Sequence, residues 1–138
     1  MKAKDLMTGI GSVNFVYADA SIKDAAEAFA KCRFTMIPVL EKGSNRYLYS
    51  ISSTDVLRYL AGISDIQEAE RDNLSSLPLS RLIAACSLEA EVESIADLIA
   101  NQNYVPCVNS EGVFVGLVTR KSLIFMLLGE LEKRKNNA

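Results

Sequence analysis

The chain has 138 residues, enough for a compact domain with its own core. Apolar residues make up 49% of it, charged residues 23%, and the net charge of −2 leaves no broad basic face to follow a nucleic-acid backbone, so no DNA or RNA partner is expected. No apolar run reaches the roughly 18 residues that cross a bilayer, and the opening MKAKDLMT alternates charge with apolarity rather than reading as a signal peptide; a cytoplasmic protein with no membrane partner is the expectation.

The first predicted element is a short strand near Phe15–Tyr17. Ser21 and Asp24 then form an N-terminal capping pattern, and Ile22, Ala25, Ala26 and Phe29 fall on one stripe of an amphipathic helix. A strand over Met36–Leu40 follows, then a turn through Glu41-Lys42-Gly43-Ser44-Asn45, a second strand over Tyr47–Ile51, and a helix over Thr54–Ala61 that ends at Gly62. The polar, acidic stretch 64–76 reads as a short helix and connecting loop. An abbreviated strand near Ala84–Leu88 comes next. A helix carries Val92, Ile95, Ala96, Leu98 and Ile99, and strands cover Val105–Val108 and Val113–Val118 around the turn Asn109–Gly112. A last helix spans Lys121–Leu131, and Glu130 with Arg134 mark its fraying end.

The order repeats. Ser52-Ser53-Thr54-Asp55 superimposes on Thr119-Arg120-Lys121-Ser122 at an offset of 67, and the strand prolines Pro38 and Pro106 differ by 68. Lys4-Asp5-Leu6-Met7 likewise resembles Ser80-Arg81-Leu82-Ile83. The predicted class is α/β (α+β): two β-α-β-β-α motifs packed sheet to sheet as a pseudo-twofold pair with a cleft between them, since neither half covers both faces of its sheet alone. The expected boundaries are motif one at 1–63, a connector at 64–78, motif two at 79–131 and a tail at 132–138. The segment Leu-Ile-Phe-Met-Leu-Leu-Gly-Glu-Leu at 123–131 is apolar around most of its circumference, so a second copy of the chain is expected to cover one side, giving a homodimer.

Histidine is absent and no CxxC pair occurs. That excludes Cys–His metal sites, Ser-His-Asp triads and Cys-His dyads, and Cys32, Cys86 and Cys107 read as small reduced residues in or near the core. The alternating Glu89, Glu91 and Glu93 read as a solvated face, not a metal site. The two strand-to-helix joints are the candidate site. A helix N-terminus offers unpaired N–H groups to an anion, Arg120 a planar donor for phosphate and Lys121 a point charge. The same tetrapeptides are also ordinary helix caps, worth about 1 kcal/mol each with no ligand.

The segments TMIPVL and YVPCV, with the joints SISSTD and GLVTRKS, resemble the CBS-domain pair, or Bateman module, over nearly the whole chain. FTMIPVLEKG and NYVPCVNSEGVFVGLVTRKS are similar to the small stand-alone bacterial members that bind cyclic di-AMP. The resemblance implies an adenine nucleotide as regulatory ligand in the inter-motif cleft: cyclic di-AMP first, AMP or ATP next. It implies no required cofactor, no metal and no catalysis, and points to an unidentified protein regulated by the ligand. Carried over residue by residue, it gives Ser52 and Thr119 contacts to phosphate or ribose, and Asp55 a place on the ribose hydroxyls. Ser122 stands where the family has that aspartate, and Tyr49 where it has glycine. Thr35, Met36 and Ile37 come before the strand proline, in the segment that offers backbone groups and apolar side chains to the adenine: either the Thr35 hydroxyl meets the ligand and the Met36 backbone reads the adenine edge, or the two are a strand edge and a core methionine. Tyr17 either stacks on a base or covers the sheet edge, and Val16 beside it either lines the site or packs the core. The alternative is a ligand-free module that serves as a dimerisation scaffold.

Overall fold

The computed structural model describes residues 1–137 of the chain. In order the elements are α1 (Ala3–Leu6), β1 (Thr8–Gly9), β2 (Val16–Tyr17), α2 (Ile22–Lys31), β3 (Met36–Leu40), β4 (Tyr47–Ser52), α3 (Ser53–Gly62) and α4 (Ile66–Arg71). Then come β5 (Cys86–Ser87), α5 (Val92–Ile99), β6 (Tyr104–Val108), β7 (Phe114–Thr119) and α6 (Arg120–Asn136). The β-α-β-β-α order appears twice, as β2-α2-β3-β4-α3 and as β5-α5-β6-β7-α6, in a mixed α+β fold with two sheets.

The repetition extends to register. β2 runs parallel to β3 with Val16 opposite Val39, and β5 runs parallel to β6 with Cys86 opposite Cys107. In the hairpins Met36 faces Ser52 and Leu40 faces Tyr47, while Tyr104 faces Thr119 and Val108 faces Phe114. Each hairpin shifts register at the same place, Val39/Leu40 and Cys107/Val108. Pro38 and Pro106 lie inside the middle strands, where a missing N–H is normally costly. Each falls one residue before the two-residue parallel contact begins, so neither deprives the leading strand of a partner.

The compact units are Asn14–Ile83, and Met1–Val13 with Ala84–Ala138. They differ from the expected boundaries 1–63, 64–78, 79–131 and 132–138 for a packing reason. Ala3 and Leu6 of α1 are buried in the core that also holds Ile95, Val105, Val118 and Leu123. The Ala3 and Lys4 amides donate to the carbonyls of Ala90 and Leu88 at 2.9 and 3.1 Å, and β1 pairs antiparallel with β7. The sheet of this unit is therefore four-stranded, β1-β7-β6-β5. The stretch 64–83 packs on the other unit instead. Ala69 is buried there, Leu74 and Leu77 join the core of Val16, Ile22, Ile37, Val39, Ile51 and Val56, and the Ile22 amide donates to the Asp72 carbonyl at 2.9 Å. The leading segment of each motif thus belongs to the compact unit of the other. α6 continues through most of the stretch expected as a tail, to Asn136.

Candidate functional site: two strand-to-helix joints

In the unit of residues 14–83, β4 passes into α3 without a spacer. Ser52 is the helix cap: its Oγ accepts from the Asp55 amide at 3.1 Å. The Ser53 amide donates to the Thr35 carbonyl at 2.8 Å, which ties the start of α3 to the approach of β3. Thr35 is exposed, whereas Met36 and Ile37 are buried, Ile37 within the core. The Ile37 side chain is thus spoken for by packing, and only its backbone is open to a role. Val16 is also in that core, which settles its side chain on packing. Tyr17 is half-buried and takes an edge-to-face contact with Phe15, ring centroids 5.4 Å apart at 80°.

Asp55 is 4% exposed as a whole, and the little surface it keeps opens on a hollow. The Ser80 amide donates to its Oδ2 at a long 3.4 Å. One weak donor leaves most of the acceptor capacity of a carboxylate unused. The hollow is lined by Asp55, Arg58, Tyr59, Ile63, Pro78 and Leu79, and its volume of ≈ 610 Å³ lies within the roughly 300–1,000 Å³ typical of small-molecule clefts. Tyr59 is held by its hydroxyl, which lies 2.6 Å from Asp72 Oδ2 and 3.1 Å from the Glu68 carbonyl. The bond to Asp72 raises the Tyr59 phenol to about 12.

The second joint, β7 into α6, has a different chemistry. Thr119 Oγ1 accepts from the Ser122 amide at 3.0 Å, and the Thr119 amide donates back to Ser122 Oγ at 3.1 Å, closing a capping box. Ser122 completes its set by donating from Oγ to the Thr119 carbonyl at 3.0 Å. Both hydroxyls are therefore engaged in the cap. The Arg120 Nε donates to the Ile99 carbonyl at 3.1 Å, at the end of α5, in a side chain that is exposed as a whole. Lys121 is exposed, with no ion pair of its own among the described residues.

The fold thus gathers Thr35, Met36, Ser52 and Asp55 in one unit and Thr119, Arg120, Lys121 and Ser122 in the other. Sequence reasoning missed two residues that shape these surroundings. Gln102, at the repeat position of Phe34, is buried; its Nε2 donates to the carbonyls of Ala84 and Tyr104 at 3.0 and 3.1 Å, and its Oε1 accepts from the Ala84 amide at 2.8 Å. A side-chain amide here ties the approach of β5 to the start of β6. Tyr47 was read only as strand: its hydroxyl donates to the Ile83 carbonyl at 3.1 Å and shares a 2.8 Å bond with Ser50 Oγ. Burial pushes this phenol up to about 12. A polar ring at a pleat position facing the core was the available signal for Tyr47; a glutamine before a strand gave none. Among the described residues no His/Cys/Asp/Glu cluster could hold a metal ion, and no helix is long and apolar enough to cross a membrane.

Two repeats in identical register, each passing from a strand directly into a capped helix, define a tandem α+β module. The CBS domain family matches residues 3–62 and 74–129, and the chain belongs to that family as a CBS-domain pair. Among solved structures it is similar to CbpB in complex with c-di-AMP, with a TM-score of 0.84 and 18% identity over 100% of this chain and 91% of that one. It is also similar to CBSX2, a CBS-pair protein from Arabidopsis thaliana, in complex with AMP, with a TM-score of 0.72 and 20% identity over 93% and 96%. At these identities the likeness concerns the fold. A curated relative, an uncharacterized protein of Methanocaldococcus jannaschii, is 21% identical over 132 residues; the match takes in 87% of this chain and spans about half, 47%, of the relative.

Proposed function

We propose that the chain is a regulatory module that binds an adenine nucleotide at its strand-to-helix joints, cyclic di-AMP in the first place and AMP or ATP next. Binding changes its affinity for a regulated protein partner, in a cytoplasmic setting and without catalysis. The observation that carries this reading is the Asp55 carboxylate, largely enclosed by protein, set one helical turn from the Ser52 cap and lining an open hollow. A carboxylate that lines a hollow and takes one long donor from the protein has acceptor capacity for ribose hydroxyls, which bring two donors. In the other unit, the joint of β7 and α6 carries its own cations suited to phosphate, the exposed Arg120 and Lys121. The solved neighbours with bound c-di-AMP and AMP support the ligand class.

The module works as a homodimer in this proposal. Leu57 on α3 and Ile124 on α6 occupy the same repeat position and are both exposed, at 66% and 59%. Phe125, Leu128 and Leu131 continue the stripe along α6, and an apolar groove between α2 and α3 runs past Phe29, Leu57 and Leu60. Apolar surface repeated on one helix face of both motifs suits a self-complementary interface.

Isothermal titration of the purified protein against cyclic di-AMP, AMP, ADP and ATP tests the reading. Saturable heat is expected with at least one of them, weakened at least tenfold by Asp55→Asn and by Arg120→Ala, each contact contributing about 1.5–3 kcal/mol as a charge-assisted hydrogen bond. Absence of heat across the panel would leave the second reading, a ligand-free dimerisation scaffold. That reading has its own support: the Thr119 and Ser122 hydroxyls are already satisfied by the cap, and Arg120 is tethered to Ile99.

A further inference from the structure

Cys86 and Cys107 face each other across the parallel pair β5–β6, with their Sγ atoms 3.8 Å apart. Both are free thiols, Cys107 fully buried and Cys86 9% exposed on the edge strand of its sheet. The other motif shows what the fold needs at these two places. The register-equivalent pair is Val16 and Val39, also buried and also in contact with a core of aliphatic side chains. Two valines therefore fill the pair position adequately, and packing gives no reason for two sulfurs. Two cysteines drawn together on neighbouring strands have a chemistry that two valines lack.

We propose that Cys86 and Cys107 form a redox site, which a hydroperoxide converts to a disulfide and a thiol reductant restores. Directly opposed residues on paired strands have Cα atoms within the range a disulfide spans, so closure needs rotation of the two side chains with little movement of the backbone. Cys86 is the attacking thiol. It lies on the edge strand and is the less buried of the two, and the hydrogen bond from Cys107 holds its pKa below the ordinary thiol value, while the same bond and burial push Cys107 up. The Cys86 thiolate attacks a peroxide oxygen, the O–O bond breaks, and the leaving hydroxide takes up a proton as water. The resulting sulfenic acid is then attacked by Cys107 as it gives up its proton; the S–O bond breaks and a second water leaves. Two thiols are oxidised by two electrons, and one hydrogen peroxide is reduced to two waters.

The third cysteine, Cys32, is an internal control: it lies half-buried with its Sγ 3.6 Å from the Phe34 carbonyl, with no thiol opposite it. The folded full chain is exposed to hydrogen peroxide, unfolded in alkylating agent, and analysed by intact mass and peptide mapping. The expected result is one alkylated cysteine, Cys32, in place of three, a Cys86–Cys107 linked peptide, a mass lower by two hydrogens before alkylation, and full reversal by dithiothreitol. The double variant C86V/C107V reproduces the pair of the other motif, so it is expected to fold and to show no peroxide-dependent change. Three alkylated cysteines after peroxide, irreversible sulfinic or sulfonic products at Cys86, or a disulfide that involves Cys32 would each overturn the proposal.

Discussion

The two motifs share a register residue for residue, yet they solve the same packing problem with different side chains. At the pleat position where β3 meets β4, Leu40 faces Tyr47; at the equivalent place in β6 and β7, Val108 faces Phe114. Phe114 is fully buried, whereas Tyr47 keeps a hydroxyl that reaches the Ile83 carbonyl. Tyr49 occupies the place of Gly116, and Val16/Val39 that of Cys86/Cys107. The differences follow from what each sheet carries at its edge. β4 is an edge strand, but β7 is covered by β1. A side chain is free to stand at Tyr49, and none fits at Gly116. A duplicated fold thus fixes the backbone twice and leaves the edges to diverge.

The largest effect expected of a single change is in the buried ring. Phe114→Ala should cost about 3–5 kcal/mol, as for large aromatic truncations in a packed core. Tyr47→Phe, at the matched position, should cost only about 1 kcal/mol, the typical worth of an intramolecular hydrogen bond. Urea denaturation of the two variants measures the contrast; equal losses would mean that the Tyr47 hydroxyl bonds are worth as much as the packing of the Phe114 ring. Next comes Gly116→Ala. A Cβ there would stand 2.3 Å from the Thr8 carbonyl oxygen and 3.0 Å from Met7 Sδ. β1 must then leave the sheet or β7 must shift, at about 1–3 kcal/mol. The reciprocal change Tyr49→Gly should leave β1 untouched and should show no loss of amide protection at Thr8 and Gly9.

Much of this architecture was legible in the residues. The prolines at an offset of 68 and the joints at 67 located both hairpins, because a strand that enters a capped helix has a strong local signature. The Ser21 cap is present as expected, with its Oγ accepting from Asp24 at 3.1 Å. The exchange of leading segments was not legible. Lys4-Asp5-Leu6-Met7 and Ser80-Arg81-Leu82-Ile83 were seen as a repeat, but which core each joins depends on burial of Ala3, Leu6 and Leu77, and a pattern of short apolar residues does not name its partner. Both strand-to-helix transitions lie where the residues place them, and the capping pattern read at Thr119 and Ser122 is present. The tether from Arg120 Nε to the Ile99 carbonyl and the long bond from the Ser80 amide to Asp55 join residues far apart in sequence, which no local pattern shows.

Alkaline pH sharpens the comparison further. Tyr47 and Tyr59 both belong to the unit of residues 14–83, and both phenols are raised from the ordinary value of 10.0 to about 12, Tyr47 by burial and Tyr59 chiefly by its bond to Asp72. A raised phenol keeps its proton longer in the folded chain than in the unfolded one. Its stabilisation is therefore complete below pH 10 and is lost as pH rises from there toward 12. Denaturation midpoints taken across that window should fall with pH, and should fall less steeply in Tyr47→Phe than in the parent. An unchanged slope would show that the Tyr47 ring is not desolvated in the folded state.

The smallest effect concerns how the exchanged segments are held. The 79–83 segment is fastened by a buried carboxylate and a part-buried phenol, through the Ser80 amide on Asp55 and the Ile83 carbonyl on Tyr47. The segment at the start of the chain relies at its surface on Glu89, which takes Lys2 Nζ at 3.0 Å and Lys4 Nζ at 3.2 Å. These bonds hold the Glu89 carboxyl below its ordinary value and raise Lys2 above its own. A depressed carboxyl stabilises at neutral pH and ceases to do so as pH falls through its folded value, below the ordinary 4.5. All three side chains are exposed, so the gain is small and salt-sensitive. Glu89→Gln should leave the global denaturation midpoint almost unchanged while speeding amide exchange at Ala3 and Lys4, whose donors reach Ala90 and Leu88. High salt should reproduce that acceleration in the parent and add nothing in the variant. If exchange at Ala3 and Lys4 is indifferent to both, burial of Ala3 and Leu6 alone holds α1 in place, and the two leading segments are fastened by the same apolar means.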